Sequence, residues 1–224
     1  MTTSPPNDPS SSSSSSSSPF SFPPEYSFPP FFTRQTNLTT HHAQLTKWSS
    51  LVLAYCRHYR IFKLSLSGNP TTTTNADAPV GGGGGEGGAE PDTTELFHNR
   101  RINRRLSLAD IREVIDFLRR DGRAEYVSGA APSGGGAEGG GGDLVWIYWR
   151  TPEEWASLVE SWVDATGQRG SVLTVYELVE GEGTRGSEFH GLNQELLLKA
   201  LNVLVKRGKA QIFGQEDSLG VKFF

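Results

Sequence analysis

The sequence predicts an α+β protein built from two tandem copies of one small module, which follow a disordered Ser/Pro-rich N-terminal tail. Three pairs of similar segments within the sequence lead to this prediction. A helix–glycine–strand unit at residues 107–127 returns at 193–213, the pentapeptide WSSLV returns as WASLV, and the bulky segment LVWIYW pairs with the C-terminal LGVKFF. Self-similarity of this kind is the sequence signature of a repeated structural unit.

The helix–glycine–strand unit has clear boundaries. Ser107 with Asp110 three residues later resembles a capping box, and Gly122 stands where a left-handed cap would end a helix. Between them, apolar side chains recur at spacings of three and four, the period of one buried helical face. These side chains are Leu108, Ile111, Val114, Ile115, Phe117 and Leu118. Gly208 follows Gly122 by 86 residues, so a glycine also stands at the end of the helix in the second unit.

The offsets between the two copies locate two insertions. The WSSLV and WASLV segments are 107 residues apart, which is 21 more than the 86 residues between the two glycines. The final strands of the two copies are 75 residues apart, which is 11 fewer than the 86 residues between the two glycines. We therefore expect two disordered inserts in the first copy, the Gly-rich segments 68–91 and 128–143.

The composition limits the class of protein. The 224 residues carry a net charge of −4, and residues 151–224 hold 11 acidic and 7 basic side chains, so polyanion binding is not indicated. Cys56 is the single cysteine, which predicts neither a disulfide framework nor a cysteine-based metal site. No apolar run approaches about 20 residues, and no charged-then-apolar signal begins the chain, so we expect neither membrane spanning nor secretion.

The N-terminal region divides into two segments. Residues 1–20 form a leader, rich in Ser and Pro, that cannot offset its chain entropy by burial, and we expect it to be disordered. Residues 21–36 contain a hexamer repeat in which paired prolines precede aromatic residues. Paired prolines favour an extended polyproline II path, so little entropy is lost when the aromatic rings enter a partner's pockets. The predicted anchors are Phe22, Pro23, Pro24, Tyr26, Phe28, Pro29, Pro30 and Phe32.

Two other interpretations of this segment stay open. The rings could fold back on their own domain. Alternatively, Pro23-Pro24-Glu25-Tyr26 matches the PPxY pattern that WW domains bind, although the near-repeat ends in Phe32.

The first module covers residues 37–150. An aromatic stripe at helical spacing predicts its first helix, and short strands or helices follow at 65–67, 95–106, 107–121, 124–127 and 144–149. The stripe consists of Leu45, Trp48, Val52, Tyr55, Tyr59 and Phe62. Helix, strand, helix, helix, strand, strand is the order of a winged helix, a helix-turn-helix with a β-hairpin wing.

The second module covers residues 151–224. Thr151 is a candidate N-cap, Pro152 occupies the first helical position, and Glu154 follows the cap by three residues. We expect elements at 153–165, 172–175, 176–179, 193–207 and 210–224. Because the preceding strand ends at Trp149, the linker is about one residue long, and the modules should abut rather than swing freely.

Winged helices often bind DNA through their third helix, so the arginines near that helix form a candidate phosphate-binding patch. They are Arg100, Arg101, Arg104, Arg105, Arg112, Arg119, Arg120 and Arg123. Acidic side chains at Glu113, Asp116 and Asp121 are interleaved with them, which favours a solvated or protein-facing role. A nucleic-acid-binding winged-helix protein is therefore the alternative function.

Enzymatic chemistry is not indicated. The five histidines show neither metal-ligand spacing nor a neighbouring nucleophile motif, and the glycine runs 81–85 and 139–142 lack the context of a phosphate loop. We predict no catalytic residue, no metal and no cofactor.

The fragments FPPEYSFPPFF, WSSLVLAYCR, RTPEEW, VYEL, EFHGL and GVKFF together resemble one family. It is the vacuolar protein sorting-associated protein 25 family, the small tandem winged-helix subunits of the ESCRT-II endosomal sorting complex. The resemblance covers about residues 22–224 apart from the two Gly-rich segments.

The resemblance implies a non-enzymatic adaptor in the sorting of ubiquitinated cargo to multivesicular bodies. In that family, two copies per Y-shaped complex bind the two larger ESCRT-II subunits through Pro-Pro-aromatic motifs, here the N-terminal anchors. The second winged helix recruits the first ESCRT-III subunit. The implied location is the cytoplasm, with recruitment to the endosomal membrane through the complex and no direct binding of nucleic acid.

We place the expected ESCRT-III surface at Val172, Thr174 and Tyr176, on and just after the first strand of the second module. The acidic charge of this module suits a basic partner helix. Alternation along a strand leaves one set of side chains available, but the sequence does not fix which set, and the alternative is that all three lie in the core.

Overall fold

The computed structural model describes residues 19–66, 93–127, 144–214 and 219–224, and these form two winged helices in tandem. The predicted leader, except for its last two residues, lies outside the described residues. So do the inserts predicted at 68–91 and 128–143.

The Pro-Pro segment folds into two 3-10 turns, Pro24–Ser27 and Pro29–Phe32, ahead of helix α1 (Leu38–His58). The polyproline II prediction is wrong here, because each turn begins with proline, whose fixed φ also suits the first position of a helical turn. Helix α1 starts at Asn37, whose side chain accepts hydrogen bonds from two backbone N–H groups. Arg60 has a positive φ of 53°, so the helix ends earlier than predicted and excludes Phe62.

The middle of the first module is less helical than predicted. It comprises β1 (Lys63–Ser65), α2 (Thr93–Phe97), β2 (His98–Asn99) and β3 (Arg104–Arg105). The helix predicted at 95–106 is wrong beyond Phe97, where a small hairpin forms instead. The Asn99 side chain accepts hydrogen bonds from the N–H groups of the turn, and Asn103 takes a positive φ of 48°, so this segment cannot continue a helix.

The third helix and the wing of the first module follow the prediction closely. They are α3 (Leu108–Arg120), β4 (Ala124–Tyr126) and β5 (Leu144–Ile147). Ser107 accepts a hydrogen bond of 3.2 Å from the N–H of Asp110, and Gly122 has a φ of +68° just after the helix. The antiparallel sheet has the order β1-β5-β4.

The second module repeats this arrangement. Its elements are α4 (Pro152–Thr166), β6 (Val172–Thr174), α5 (Val175–Glu180), a 3-10 turn (Glu182–Thr184), α6 (Gln194–Lys206), β7 (Ala210–Phe213) and β8 (Gly220–Phe223). The capping box predicted for Thr151 and Glu154 is confirmed. Its antiparallel sheet has the order β6-β8-β7, which matches the first sheet strand for strand.

Strand pairing fixes the equivalence of the two copies. Ala124 lies opposite Ile147, and Ala210, 86 residues after Ala124, lies opposite Phe223. Phe223 follows Ile147 by 76 residues, so the predicted offset of 75 for the last strands is wrong by one. A register error of one residue exchanges the two faces of a strand, so this correction decides which side chains point outward.

The two modules abut, as the short linker predicted. Val145 and Ile147 point into the first hydrophobic cluster, whereas Trp146 and Tyr148, on the opposite face of β5, belong to the second. Trp149 contacts both clusters and packs edge to face against Trp155, with ring centroids 5.1 Å apart.

Polar contacts also connect the two modules, and we call the whole interface between them the joint. Arg123 donates two hydrogen bonds, of 2.9 and 3.1 Å, to the carboxylate of Glu154 at the start of α4. Arg60 donates to the backbone carbonyls of Glu188 and His190.

Candidate protein-binding surfaces

The Pro-Pro segment packs on the outside of α1. The ring of Phe31 stacks on Trp48 with centroids 4.4 Å apart, and the ring of Phe32 meets Trp48 edge-on at 5.3 Å. Gln44 donates a hydrogen bond of 2.8 Å to the carbonyl of Phe31, which also accepts one of 3.0 Å from the Trp48 indole. Helix α1 therefore fixes both the rings and the backbone of this segment.

Tyr26 occupies a second buried position in the same segment. Its hydroxyl donates to the carbonyl of Glu95, its own carbonyl accepts a 2.7 Å hydrogen bond from Asn99, and its ring stacks on Phe22 at 4.0 Å. Burial, together with the negative charge of Glu95, raises the pKa of the Tyr26 phenol. Tyr26 is thus part of the fold of its own module.

These contacts correct the expectation that the aromatic tail is exposed. Tyr26 and Phe32 are each only 5% exposed, so for them the alternative that the rings fold back is what the structure shows. In this arrangement Tyr26 is not accessible to a WW domain.

Four other predicted anchors do remain exposed. Phe28 lies between the two 3-10 turns and is 60% exposed, and Pro24, Pro29 and Pro30 are exposed beside it. We call these four residues the tail surface. Pro23 and Phe22 are half-buried behind it.

The residues predicted for ESCRT-III binding are exposed in the second module. Val172 is 54% and Tyr176 is 73% exposed, and Thr174 is exposed between them. The alternative that all three belong to the core is wrong, because β6 turns Leu173 inward and its two neighbours outward. We call these three residues the edge surface, since β6 forms an edge of its sheet.

Thr174 is also the N-cap of α5. Its hydroxyl accepts a 3.0 Å hydrogen bond from the N–H of Glu177, and the Glu177 carboxylate accepts bonds of 2.7 and 2.9 Å from the N–H and hydroxyl of Thr174. These hydrogen bonds lower the pKa of Glu177, and the one from the N–H of Thr174 has the largest effect. The carboxylate is therefore engaged within the cap.

The arginines of the candidate phosphate patch do not form one surface. Arg123 is bound to Glu154 in the joint, and Arg119 pairs with Asp116 at 2.8 Å. Arg104 and Arg105 are exposed on the separate β2–β3 hairpin. Two of the eight candidate arginines are thus held by carboxylates, and two others lie on a different element.

Within the described ranges, no group of three or more His, Cys, Asp or Glu side chains could hold a metal ion. No helix of that part of the chain is long and apolar enough to cross a bilayer. Cys56 is fully buried, and burial raises the pKa of its thiol.

Sequence reasoning missed the outer face of the first sheet. Trp146, Lys63 and Glu125 lie side by side there, and side chains of α6 in the second module contact all three. A signal was present in LVWIYW, which places bulky side chains at both odd and even positions. A strand with bulky apolar residues on both faces is typically buried on both faces.

The fold and its exposed surfaces define a tandem winged-helix protein without a recognisable catalytic arrangement among its described residues. Comparison with known proteins identifies its family. The family model for the ESCRT-II complex subunit matches residues 25–193, and the chain belongs to that family.

Relatives from distant organisms match along most of their length. A vacuolar protein-sorting-associated protein 25 from Xenopus laevis is 36% identical over 92% of this chain and 99% of its own, and one from Dictyostelium discoideum is 37% identical over 92% and 96%. The human protein of that name is 36% identical over 92% and 98%.

Solved structures agree with this family. The crystal structure of subunit VPS25 of the endosomal trafficking complex ESCRT-II superimposes with a TM-score of 0.69 at 26% identity, covering 90% of this chain and 98% of that one. A chain of the endosomal complex ESCRT-II (VPS22/VPS25/VPS36) gives a TM-score of 0.67 at 29% identity, with the same coverage.

Proposed function

We propose that this chain is a non-catalytic adaptor of endosomal sorting that links the ESCRT-II core to an ESCRT-III subunit. One observation carries the proposal: the chain exposes two apolar surfaces on two different modules, and the modules are joined by a packed interface. A protein with this layout can hold two partners at a fixed separation.

The tail surface is the proposed contact with the two larger ESCRT-II subunits. Exposed Phe28 and its neighbouring prolines offer a rigid apolar anchor, and a solved relative is named as part of a VPS22/VPS25/VPS36 complex. Tyr26 and Phe32 support this contact from behind, because they hold the two turns against α1. Two copies of the chain are proposed per complex.

The edge surface is the proposed contact with the first ESCRT-III subunit. Val172 and Tyr176 expose apolar area that a monomeric domain would ordinarily bury, and such patches mark interaction sites. An amphipathic helix is the partner element that fits a short, exposed sheet edge followed by a helix.

The proposed setting is the cytoplasmic side of the endosome, where the complex sorts ubiquitinated cargo into multivesicular bodies. The chain would be peripheral to the membrane through its complex and would not bind nucleic acid directly. The pairing of Arg119 with Asp116 and of Arg123 with Glu154 supports the last point, because a guanidinium held by a carboxylate is less available to a phosphate.

The test is co-expression with the two larger ESCRT-II subunits of the same organism, followed by native mass spectrometry. We expect two copies of the chain per complex. The double substitution Phe28→Ala, Pro30→Ala should reduce incorporation about ten-fold or more, because burial of one such ring contributes roughly 1.5–3 kcal/mol. Leu38→Ala, at an 83% exposed residue outside the tail surface, is the matched control. Unchanged incorporation of the double variant would exclude the tail surface as the anchor.

A further inference from the structure

A serine preceded by two arginines lies where the β2–β3 hairpin meets α3. Arg104 and Arg105 form β3, and Ser107 is the N-cap of α3. Among all serines and threonines of the chain, only Ser107 has an arginine at both the second and the third position before it. The proposed function makes no use of this sequence.

The pattern of exposure around Ser107 matches the side chains that a protein kinase recognises. Arg104, Arg105 and Ser107 are exposed, and Leu108, directly after the serine, is 40% exposed. Only Leu106 points inward, with 3% exposure. Arginine-directed serine kinases bind guanidinium groups two and three residues before the acceptor in acidic pockets, and they bind an apolar side chain just after it. They accept any residue directly before the serine, and this is the residue that the fold buries.

The backbone before Ser107 already has the extended shape in which a kinase holds its substrate. β3 is a strand, and Ser107 has a φ of −68° and a ψ of 153°. Helix α3 begins at Leu108, so its first turn has to open before a kinase can hold the segment. Helix ends and short hairpins open at a lower free energy than a buried core does. The opening that a kinase needs is therefore local.

The two arginines differ from those in the joint and on α3. Within the described ranges neither Arg104 nor Arg105 makes an ion pair, whereas Arg119 and Arg123 are held by carboxylates. The segment 67–92 lies outside these ranges, precedes α2 and carries four acidic side chains. Carboxylates of that segment would compete with a kinase for the arginines, so the experiment uses the full chain, in which the segment is present.

We infer that Ser107 is the phosphate acceptor of an arginine-directed serine/threonine kinase. In the transfer, the Ser107 Oγ forms a bond to the γ-phosphorus of ATP, and the bond from that phosphorus to the oxygen that bridges to the β-phosphate breaks. ADP leaves with this oxygen, and the hydroxyl proton passes to the catalytic aspartate of the kinase and then to water. The product is a phosphoserine with a charge of about −1.5 to −2 at pH 7.

The position of Asp110 determines where this phosphate goes. The unmodified Ser107 hydroxyl donates a 2.5 Å hydrogen bond to the Asp110 carboxylate. A phosphate has no such hydrogen at pH 7 and is repelled by the carboxylate, so it turns toward Arg104 and Arg105, with which it can form charge-assisted hydrogen bonds.

The phosphate thereby comes close to the tail surface. β3 lies beside the second 3-10 turn, Pro29–Phe32, and Ser107 follows β3 by roughly 7 Å of extended chain. A partner that covers the exposed prolines of this turn has to desolvate the new charge, which costs free energy. Phosphorylation of Ser107 therefore weakens incorporation of the chain into the ESCRT-II core, a consequence that rests on the proposed function.

The first experiment incubates the purified full chain with ATP and the catalytic subunit of cyclic-AMP-dependent protein kinase, a representative of this kinase class. We expect one phosphate per chain, located at Ser107 by mass spectrometry. Arg104→Gln with Arg105→Gln should lower the initial rate about ten-fold or more, because both charge-assisted contacts to the kinase are lost. Arg119→Gln with Arg120→Gln makes the same change at another exposed arginine pair and should be phosphorylated like the wild type.

Two further samples complete this experiment. Ser107→Asn removes the acceptor, keeps a residue that caps helices well, and should take up no phosphate. A peptide of residues 101–111 is the reference for an accessible site and should react faster than the chain, in which α3 has to open. Phosphate at another residue, equal rates for the wild type and the Arg104→Gln, Arg105→Gln variant, or a modified peptide beside an unmodified chain would overturn the inference.

The second experiment mixes the larger ESCRT-II subunits with the chain before and after complete phosphorylation and measures incorporation by native mass spectrometry. The phosphorylated chain should be incorporated about ten-fold less, because the dianion lies beside the apolar contact. Kinase-treated Ser107→Asn should be incorporated like the unmodified wild type.

The outcomes of the second experiment separate the two proposals. If phosphorylated and unmodified chains are incorporated alike, the regulation by Ser107 is wrong and the proposed function stands. If the unmodified chain is not incorporated, the proposed function and the regulation are both wrong, whereas the phosphate acceptor found in the first experiment stands.

Discussion

Thr174 has two roles that any test of the edge surface must separate. It is exposed on the β6 edge, where a partner could contact it, and its side chain caps α5 through Glu177. A substitution such as Thr174→Lys therefore changes both the surface and the cap. Tyr176 is the cleaner probe, since it is 73% exposed and its hydroxyl makes no described hydrogen bond.

The capping role can be measured by itself. Thr174→Val keeps the shape of the side chain and removes the hydroxyl, and we expect a loss of about 0.5–2 kcal/mol in the free energy of unfolding. Thr174→Ser retains the hydroxyl and should lose much less. Urea denaturation followed by circular dichroism gives both values. Equal stability of the two variants would contradict a capping role.

Phe28 and Phe32 form a second matched pair, four residues apart in the Pro-Pro segment. Phe32 is 5% exposed against Trp48, so Phe32→Ala should lower the free energy of unfolding by about 3–5 kcal/mol. Phe28 is 60% exposed, so Phe28→Ala should change it by less than about 0.5 kcal/mol. Denaturant titration of both variants tests this, and similar losses at the two positions would show that the segment is not packed as described.

Among the contacts between elements, the one that joins Arg123, just before β4, to Glu154 in α4 should make stability depend on pH. Hydrogen bonds from Arg123, and the N–H of Thr151, hold the pKa of Glu154 below its ordinary value of 4.5. A carboxyl whose pKa is lowered by folding stabilises the folded state above its unfolded pKa, and this contribution is lost as the pH falls from about 4.5 through the folded value.

Glu154→Gln should accordingly flatten the decline in stability below about pH 4.5, while lowering stability at neutral pH. Glutamine still fits a capping box, so the helix start is retained. Glu153→Gln, the same change at the exposed preceding residue, is the control. Parallel stability–pH curves for wild type and Glu154→Gln would contradict the role of this pair.

Elements with local boundary signals were the ones that the sequence predicted well. Helices α3 and α4 begin at Ser107 and Thr151 because the cap and its partner lie three residues apart in the chain. The β2–β3 hairpin was predicted as helix because its stabilising contact, between Asn99 and the carbonyl of Tyr26, joins residues 73 positions apart. Tertiary contacts of this kind override local propensity and leave no periodic pattern.

At the scale of the whole molecule, the shared packing at Trp146 and Trp149 should make the two modules unfold together. We expect a single denaturation transition for the wild type and two separated transitions for Trp146→Ala, which removes the ring between β5 and the second module. Hydrogen exchange of amides in α1 and α6 reports each module separately. A wild-type protein in which α6 exchanges independently of α1 would contradict the coupling.

Contacts between residues far apart in the chain also limit what the sequence could show of the candidate sites. The Pro-Pro-aromatic repeat identified the tail, but the exposure of Phe28 and the burial of Phe32 depend on how two turns rest on α1. Val172, Thr174 and Tyr176 were identified as candidates, but the sequence did not fix which of them face outward. Their exposure depends on the pairing of β6 with β8, and the position of β8 differs by one residue from the predicted alignment.

A bridging pull-down measures whether one chain binds two partners through two separate surfaces. The larger ESCRT-II subunits are immobilised, and capture of the first ESCRT-III subunit is measured with and without the chain. We predict that capture requires the chain. Phe28→Ala with Pro30→Ala should lose both the chain and the ESCRT-III subunit, and Tyr176→Ala should lose the ESCRT-III subunit alone. Capture of the ESCRT-III subunit without the chain would show that the chain is not the bridge, and its unchanged capture by the Tyr176→Ala variant would exclude the edge surface.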